Sequence, residues 1–332
     1  MPAGSTSGGE PVLRFEDVSV FFTKRRFLGP PSVIKAVDRV NLEIAQGEIV
    51  GLVGESGSGK TTLGRTAIGL QRATSGKVIF SDGELNIDVS SAKGRVWKEL
   101  RKYLQIIFQD PFSSIDPNMR VFDALRIPLQ AQGVKDKKEI ESRIYTVFNE
   151  VGLPTDILWN FVFQLSGGQR QRVSIARVLL FNPSFIVADE AVSMLDVSLK
   201  GDILNIIKKI SKNFGVAFLF ITHEMAVAKV ISDRIAVMYL GNLVEIGPSN
   251  EVISKPLHPY TQALIQASPT IDPSLRDTYK VMKITGEIPL SREHPPGCKF
   301  HPRCPYVMET CRVNFLDMKE VESGHFVSCW LY

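Results

Sequence analysis

The chain has 332 residues, 44% of them hydrophobic and 22% charged, with a formal net charge of +4. That length suits one large domain plus a smaller one, and the composition is that of an ordinary globular protein. The mild charge gives no sign of a nucleic-acid binder, and no apolar run reaches the roughly 18–20 residues that a membrane span needs.

In chain order, MPAGSTSGGEP lacks the basic and apolar regions of a signal peptide and is expected to be a flexible tail. Between Val12 and Ile44 the pattern alternates: Val40, Leu42 and Ile44 point one way, Asn41 and Glu43 the other. This predicts antiparallel strands with one wet face. The run GEIVGLV (Gly47–Val53) predicts a strand, followed by a Gly/Ser loop and a helix from Lys60. From Pro117 to Leu165 the texture is helical, with Ile140, Ile144, Val147, Phe148 and Val151 at helix spacing. FIVA (Phe185–Ala188) and VAFLFIT (Val216–Thr222) are unbroken apolar runs, as parallel strands buried on both faces require. DRIAVMYLGNLVEIG (Asp233–Gly247) predicts two short strands around a Gly-Asn turn. Beyond Gly247-Pro248 prolines multiply and the cysteines appear, which places a domain boundary near residue 250.

Three motifs carry chemistry. GESGSGKT (Gly54, Glu55, Ser56, Gly57, Ser58, Gly59, Lys60, Thr61), continued by Thr62, matches G-x-x-x-x-G-K-[ST] between a strand and a helix. Its glycines let backbone N–H groups form a nest for phosphate oxygens. Lys60 can reach the β- and γ-phosphates, and the Thr61 hydroxyl can face Mg²⁺. FIVADE (Phe185–Glu190) sets Asp189 at the carboxyl end of a strand, where it can hold Mg²⁺ directly or through water. Glu190 follows, placed to orient and deprotonate an attacking water. LSGGQRQR (Leu165–Arg172) opens a second helix, with Ser166 as a good N-cap before Gly167, Gly168 and Gln169. Such a start suits an anion, although a capped helix start is more often purely structural.

In this company the sequence resembles the ATPase subunits of ABC transporters over nearly its whole length. GESGSGKT looks like their Walker A, FIVADE like their Walker B, and LSGGQ like the family signature. Gln109 in QIIFQDP looks like the Q-loop glutamine, Ser193–Asp196 like the D-loop, and His223 in FITHE like the switch histidine. Phe22 falls where the family places its adenine-stacking aromatic, with Phe21 as the competing choice. The resemblance implies an α/β P-loop ATPase core, a mixed sheet with an antiparallel β subdomain and an inserted helical subdomain at about 112–180. Residues 1–250 would form this nucleotide-binding domain and 251–332 a small C-terminal extension. It also implies a head-to-tail dimer sandwiching two ATP molecules, in which Ser166 and Gly168 of one chain clamp the γ-phosphate held by the other's P-loop. Glu190 would activate water, while Gln109 and His223 position the γ-phosphate and Mg²⁺; Asp196 lies in the D-loop. The stretch Gln109–Asn118 would meet the membrane partner.

AVDRVNLEIAQGEIVGLVGESGSGKTTLGR, QIIFQDPFSSIDPNM, VEIGPSNEVISKPLHPYTQALIQASP, and GEIP followed by PPGCKFHPRCP are similar to the oligopeptide/dipeptide-type importer ATPases. The QIIFQDP form and the insert FFTKRRFLGPPSVIKAV look like the second, F-type, subunit of the pair. By that analogy the complex has a paired, different ATPase, two permeases and an extracellular binding protein, with this chain peripheral on the cytoplasmic face of the inner membrane. Peptide is the favoured cargo; oligosaccharide or nickel is the alternative, and a soluble non-transport ATPase the rival class. The subgroup usually has Pro and Ala where this chain has Ala191 and Met194, and Pro-His where it has Val162-Phe163.

All four cysteines, Cys298, Cys304, Cys311 and Cys329, lie in the last stretch of the chain, spaced C-x5-C-x6-C-x17-C. Structural disulfides are disfavoured in a reducing cytosol, and the close C-x2–4-C knuckles of zinc ribbons are absent. Four thiolates suit a [4Fe–4S] cluster, though not at a common ferredoxin spacing. The resemblance implies such a cluster in the C-F-x-P-R-C-P context, ranked above Zn²⁺ and above no metal. His301 is an alternative ligand, more readily read as a loop residue.

Overall fold

The continuous apolar runs become the strands that position every motif. The computed structural model describes residues 11–24, 32–83, 85–110, 115–268 and 294–332. The expected N-terminal tail and the GEIP stretch lie outside these residues, as do parts of the 21–37 insert and of the 109–118 stretch. The chain folds as two compact units, 1–92 with 219–332, and 93–218.

In the first unit, β1 (Pro11–Lys24) and β2 (Ser32–Ala45) are antiparallel, with Phe15 opposite Leu42 and Leu13 opposite Ile44. With β4 (Ser75–Asp82) and β5 (Leu85–Asp88) they form a sheet ordered β2-β1-β4-β5. Val40, Leu42 and Ile44 are buried and Asn41 is exposed, as alternation demands. Glu43 departs from the expected wet face: it is buried, and its carbonyl accepts Arg234 Nη2 at 2.6 Å. The Arg234 guanidinium is in turn paired with Glu48 at 2.6 Å. A cation buried in this way needs such acceptors around it.

The second sheet of this unit runs β11 (Lys319–Glu322), β12 (His325–Val327), β10 (Asn242–Pro248), β9 (Arg234–Tyr239), β3 (Ile49–Val53), β8 (Ala217–Thr222). β3 and β9 are parallel, with every residue of both buried, which is why neither alternates. The β9–β10 turn is Leu240-Gly241, one residue earlier than the expected Gly-Asn pair: Asn242 already pairs with Tyr239. Both turn residues have positive φ, 43° and 86°, the twist that two-residue hairpins favour. The Asn242 side chain is engaged elsewhere, donating to the Asp38 carbonyl at 2.7 Å. The proline-rich tail is more regular than its composition suggests, with α8 (Ser249–Ser254), α9 (Pro259–Ala267) and α10 (Glu309–Val313). Residue 250, near which a domain boundary is expected, lies in α8, within this unit.

In the second unit, β6 (Leu104–Ile107) and β7 (Phe185–Asp189) pair in parallel, Leu104 opposite Phe185 and Ile107 opposite Ala188. The helices are α2 (Gly94–Tyr103), α3 (Val121–Ala131), α4 (Lys137–Glu150), α5 (Gly167–Leu179) and α6 (Val197–Phe214). In α4 the apolar stripe Ile140, Ile144 and Phe148 is buried, as its spacing predicts. α5 stops before Asn182, which takes the left-handed conformation ahead of Pro183.

Candidate functional site

In the first unit the Gly54–Lys60 loop leaves β3 and turns directly into α1 (Lys60–Ala67). Gly59 has φ 107°, and a Cβ there would stand 2.1 Å from the Ala36 carbonyl oxygen. At Gly54 a Cβ would stand 2.2 Å from the Met238 carbonyl oxygen. The loop is thus wedged between two backbone walls that tolerate no side chain, a fixed concave track of N–H groups ahead of a helix N-terminus. Ser56 and Gly57 are exposed at its crest, while Ser58 and Lys60 are buried. Lys60 Nζ curls back to the carbonyls of Gly54 (2.8 Å) and Glu55 (2.9 Å) and to Ser58 Oγ (3.4 Å). Thr61 and Thr62 follow in the first turn, half-buried.

Glu55 behaves differently from its neighbours. Its N–H donates to Tyr260 Oη at 2.8 Å, and its carboxylate accepts two bonds from Arg303, at 3.0 and 3.2 Å. Both groups are thereby committed to the C-terminal part of the unit. Sequence reasoning missed Tyr260, Lys299 and Arg303. The available signal was a pair of cations, Lys299 and Arg303, inside a Cys/Pro-rich loop with no acidic neighbour.

Phe22 is exposed on β1, while the ring of Phe21 carries Lys35 Nζ 5.5 Å from its centroid. Of the two, Phe22 has the ring available for stacking. His223 is exposed just beyond the end of β8, where the backbone turns with Glu224 N–H donating to Thr222 Oγ1 at 3.0 Å.

In the second unit, buried Asp189 closes β7 and Glu190 follows in the left-handed region at φ 49°. For a glutamate this conformation is uncommon. The Ser193 N–H and hydroxyl both bind the Glu190 carbonyl, at 3.0 and 2.9 Å, closing a tight turn. Gln109 Nε2 donates to Glu190 Oε2 at 3.0 Å, so these two predicted residues meet. Ser166 caps α5 in a reciprocal capping box: Ser166 Oγ accepts the Gln169 N–H at 3.3 Å, and Gln169 Oε1 accepts the Ser166 N–H at 3.0 Å. Gly168 is packed so closely that a Cβ would meet Leu199 at 3.2 Å. Asp196 is exposed at the N-cap of α6. Ala191 is buried and Met194 exposed, where the resembled subgroup carries Pro and Ala.

The four thiols lie within electrostatic reach of one another, each repelling charge on the rest. Against the effect of burial, nearby backbone N–H groups, of Phe300 and His301 at Cys298, Tyr306 at Cys304 and Leu331 at Cys329, pull the thiol pKa values down. Burial first, then the neighbouring cysteines, pushes the Cys298 and Cys329 thiols up to about 11 and raises Cys304. The His301 ring nitrogen Nδ1 lies 2.9 Å from the Cys298 carbonyl oxygen. Among the described residues no group of three or more His, Cys, Asp or Glu side chains is gathered as a metal-ion site. No helix among them is long and apolar enough to cross a membrane.

Residues 37–193 match the family model described as "ABC transporter", and residues 244–311 that described as "Oligopeptide/dipeptide transporter, C-terminal region". A Brucella ovis protein named a peptide import ATP-binding protein is 42% identical over 298 residues, 90% of this chain and 92% of that protein. The oligopeptide transport ATP-binding protein OppF of Salmonella typhimurium is 40% identical over 323 residues, 96% of this chain and 95% of its own. Among solved structures, the ATP-binding cassette MJ0796, in a dimeric post-hydrolysis state bound to ADP and Pi, superimposes with a TM-score of 0.62. It is 27% identical, covering 71% of this chain and 98% of that one.

Proposed function

Since the chain belongs to the ABC transporter ATP-binding proteins, in their oligopeptide/dipeptide branch, we propose that it is the ATP-hydrolysing motor subunit of a membrane importer for di- and oligopeptides. The carrying observation is the Gln109–Glu190 pair, directly after buried Asp189. A carboxylate held by an amide is fixed in orientation, as a general base for water needs to be.

The residues divide the work. Phe22 stacks the adenine, and the Gly57–Thr62 backbone and Lys60 take the phosphates, Lys60 releasing its loop carbonyls to do so. Asp189, Thr61 and Gln109 offer the hard oxygen donors that fit Mg²⁺, whose bound charge neutralises the β/γ-phosphate oxygens. Glu190 takes the proton of the attacking water, and His223 orients the γ-phosphate. Ser166, Gly167, Gly168 and Gln169 serve the nucleotide of a paired ATPase chain, and Asp196 the dimer face. The reading extends to a heterodimer with a different ATPase, two permeases and an extracellular binding protein, on the cytoplasmic face of the inner membrane. Residues 251–332 are read as an extension of a 1–250 nucleotide-binding domain.

The extension is read as holding a [4Fe–4S] cluster on Cys298, Cys304, Cys311 and Cys329, from the four cysteines and their C-F-x-P-R-C-P context, although their side chains are not gathered as a metal site in this structure. Zn²⁺ is the alternative. An anaerobic preparation should be brown with absorbance near about 400 nm; a colourless protein holding zinc would remove the cluster.

The test of the motor is Glu190→Gln in the full transporter. Removing the base should cut ATP turnover by about 10²–10⁴-fold while nucleotide still binds. Unchanged turnover would overturn the assignment.

A further inference from the structure

Between Cys298 and Cys304 lie five residues, Lys299–Arg303, that grip the phosphate loop twice. Arg303 is buried, with its guanidinium set 5.9 Å from the Tyr239 ring centroid and 5.8 Å from that of Phe300. Its outer nitrogens fork onto the Glu55 carboxylate, and Nη1 also reaches Tyr239 Oη at 3.4 Å. Tyr239, Tyr260 and Phe300 pack on one another with centroids 4.6–5.5 Å apart, and Cys298 and Cys304 lie against the same core. This leaves the fork little freedom to swing. The second grip is Lys299, also buried, whose Nζ binds Asp38 Oδ2 at 3.0 Å and the Leu240 carbonyl at 2.9 Å. The next residue, Gly241, donates its N–H to the Ser58 carbonyl at 2.8 Å. One segment therefore holds the loop at Glu55 directly and at Ser58 through the β9–β10 turn.

The consequence runs through Lys60. Its ammonium rests on the Gly54 and Glu55 carbonyls and on Ser58 Oγ. Those acceptors belong to the two residues that the C-terminal segment immobilises, and to the glycine preceding them. Free carboxylate–arginine pairs at a surface contribute little, but a buried bidentate fork fixes both partners in angle as well as distance.

We propose that Arg303 is a positioning residue for nucleotide binding: by fixing Glu55 it sets the phosphate loop and the Lys60 ammonium, so that the four-cysteine extension governs nucleotide affinity. This rests on the reading of Gly54–Thr61 as the nucleotide loop.

The experiment titrates a fluorescent trinitrophenyl-ATP probe into full-length protein and records the thermal midpoint beside it. The variants are Arg303→Met, Arg303→Lys, Glu55→Gln, the Arg303→Met/Glu55→Gln pair, and Lys60→Ala as reference. Arg303→Met and Glu55→Gln should each weaken binding on the order of tenfold, within the usual span of coupling between sites. The double variant should be no weaker than either single one, and Arg303→Lys should recover part of the loss. Wild-type affinity in Arg303→Met and Glu55→Gln, whatever their thermal midpoints, would overturn the proposal and leave the nucleotide loop standing. Wild-type affinity in Lys60→Ala would instead overturn the nucleotide reading itself.

Discussion

His258 makes the stability of the C-terminal part of the first unit depend on pH. The side chain is buried, and its Nδ1 accepts the Tyr260 N–H at 3.0 Å to cap α9. The His258 backbone N–H donates to Glu245 Oε2 at 2.8 Å, and the ring tilts against Phe300 at 5.7 Å. Protonation would turn the capping acceptor into a donor facing a donor, inside an apolar site. Burial accordingly lowers the pKa to about 3 from the usual 6.5. In the unfolded chain the ring protonates near its ordinary value, so between these two limits the unfolded state binds the extra proton. Stability is then full above about pH 6.5 and falls as the pH drops toward about 3. Going from about pH 7.5 to about pH 5.5, linkage at 1.36 kcal/mol per pH unit gives a loss of about 1.4 kcal/mol from this group. In His258→Asn a side-chain oxygen can still cap the helix while the titration is gone. Urea unfolding of both proteins at the two pH values isolates the effect as a difference of differences, which cancels every other titrating group. Parallel behaviour of wild type and variant across that interval would refute the reasoning.

Further outcomes follow from the same geometry. Gly59→Ala should abolish nucleotide binding in a titration, because the new Cβ meets the Ala36 carbonyl and the φ of 107° is hostile to a side chain. Binding at wild-type strength would show that the loop is not wedged as described. Glu245 is fully buried and accepts from Leu257 N–H (2.9 Å), His258 N–H (2.8 Å) and His325 Nε2 (2.8 Å). Glu245→Ala should therefore cost about 3–9 kcal/mol in chemical denaturation, at about 1–3 kcal/mol for each of the three stranded groups. A loss below about 1 kcal/mol would mean that these donors find other acceptors.

What the sequence disclosed and what it withheld divide along physical lines. The strands β3, β7 and β8 were legible because burial on both faces leaves an unbroken apolar run. The stripe in α4 and the Ser166 cap were legible because helix period and capping are local. The phosphate loop was legible because its chemistry demands fixed spacing. Arg303 and Glu55 are 248 residues apart and obey no period; only folding brings them together. Glu43 was misplaced on a wet face because local alternation does not show which faces of a strand the fold later covers. The Leu240-Gly241 turn was displaced by one residue because Asn242, an excellent turn former, had its amide claimed by Asp38.

The outermost strand of the second sheet carries a consequence for anyone shortening the chain. β11 is Lys-Glu-Val-Glu, all four residues exposed, and it pairs only with β12 in the recorded sheet order. A short, charged rim of this kind refuses to add further strands. β10, two strands inward, is buried throughout Asn242–Gly247 and hydrophobic at Leu243, Val244 and Ile246, with Glu245 its one acidic residue. A chain cut near residue 250, where the catalytic motifs are already complete, would trade the charged rim for that bare hydrophobic one. The shortened protein would carry every nucleotide motif and still tend to stack edge to edge with its own copies.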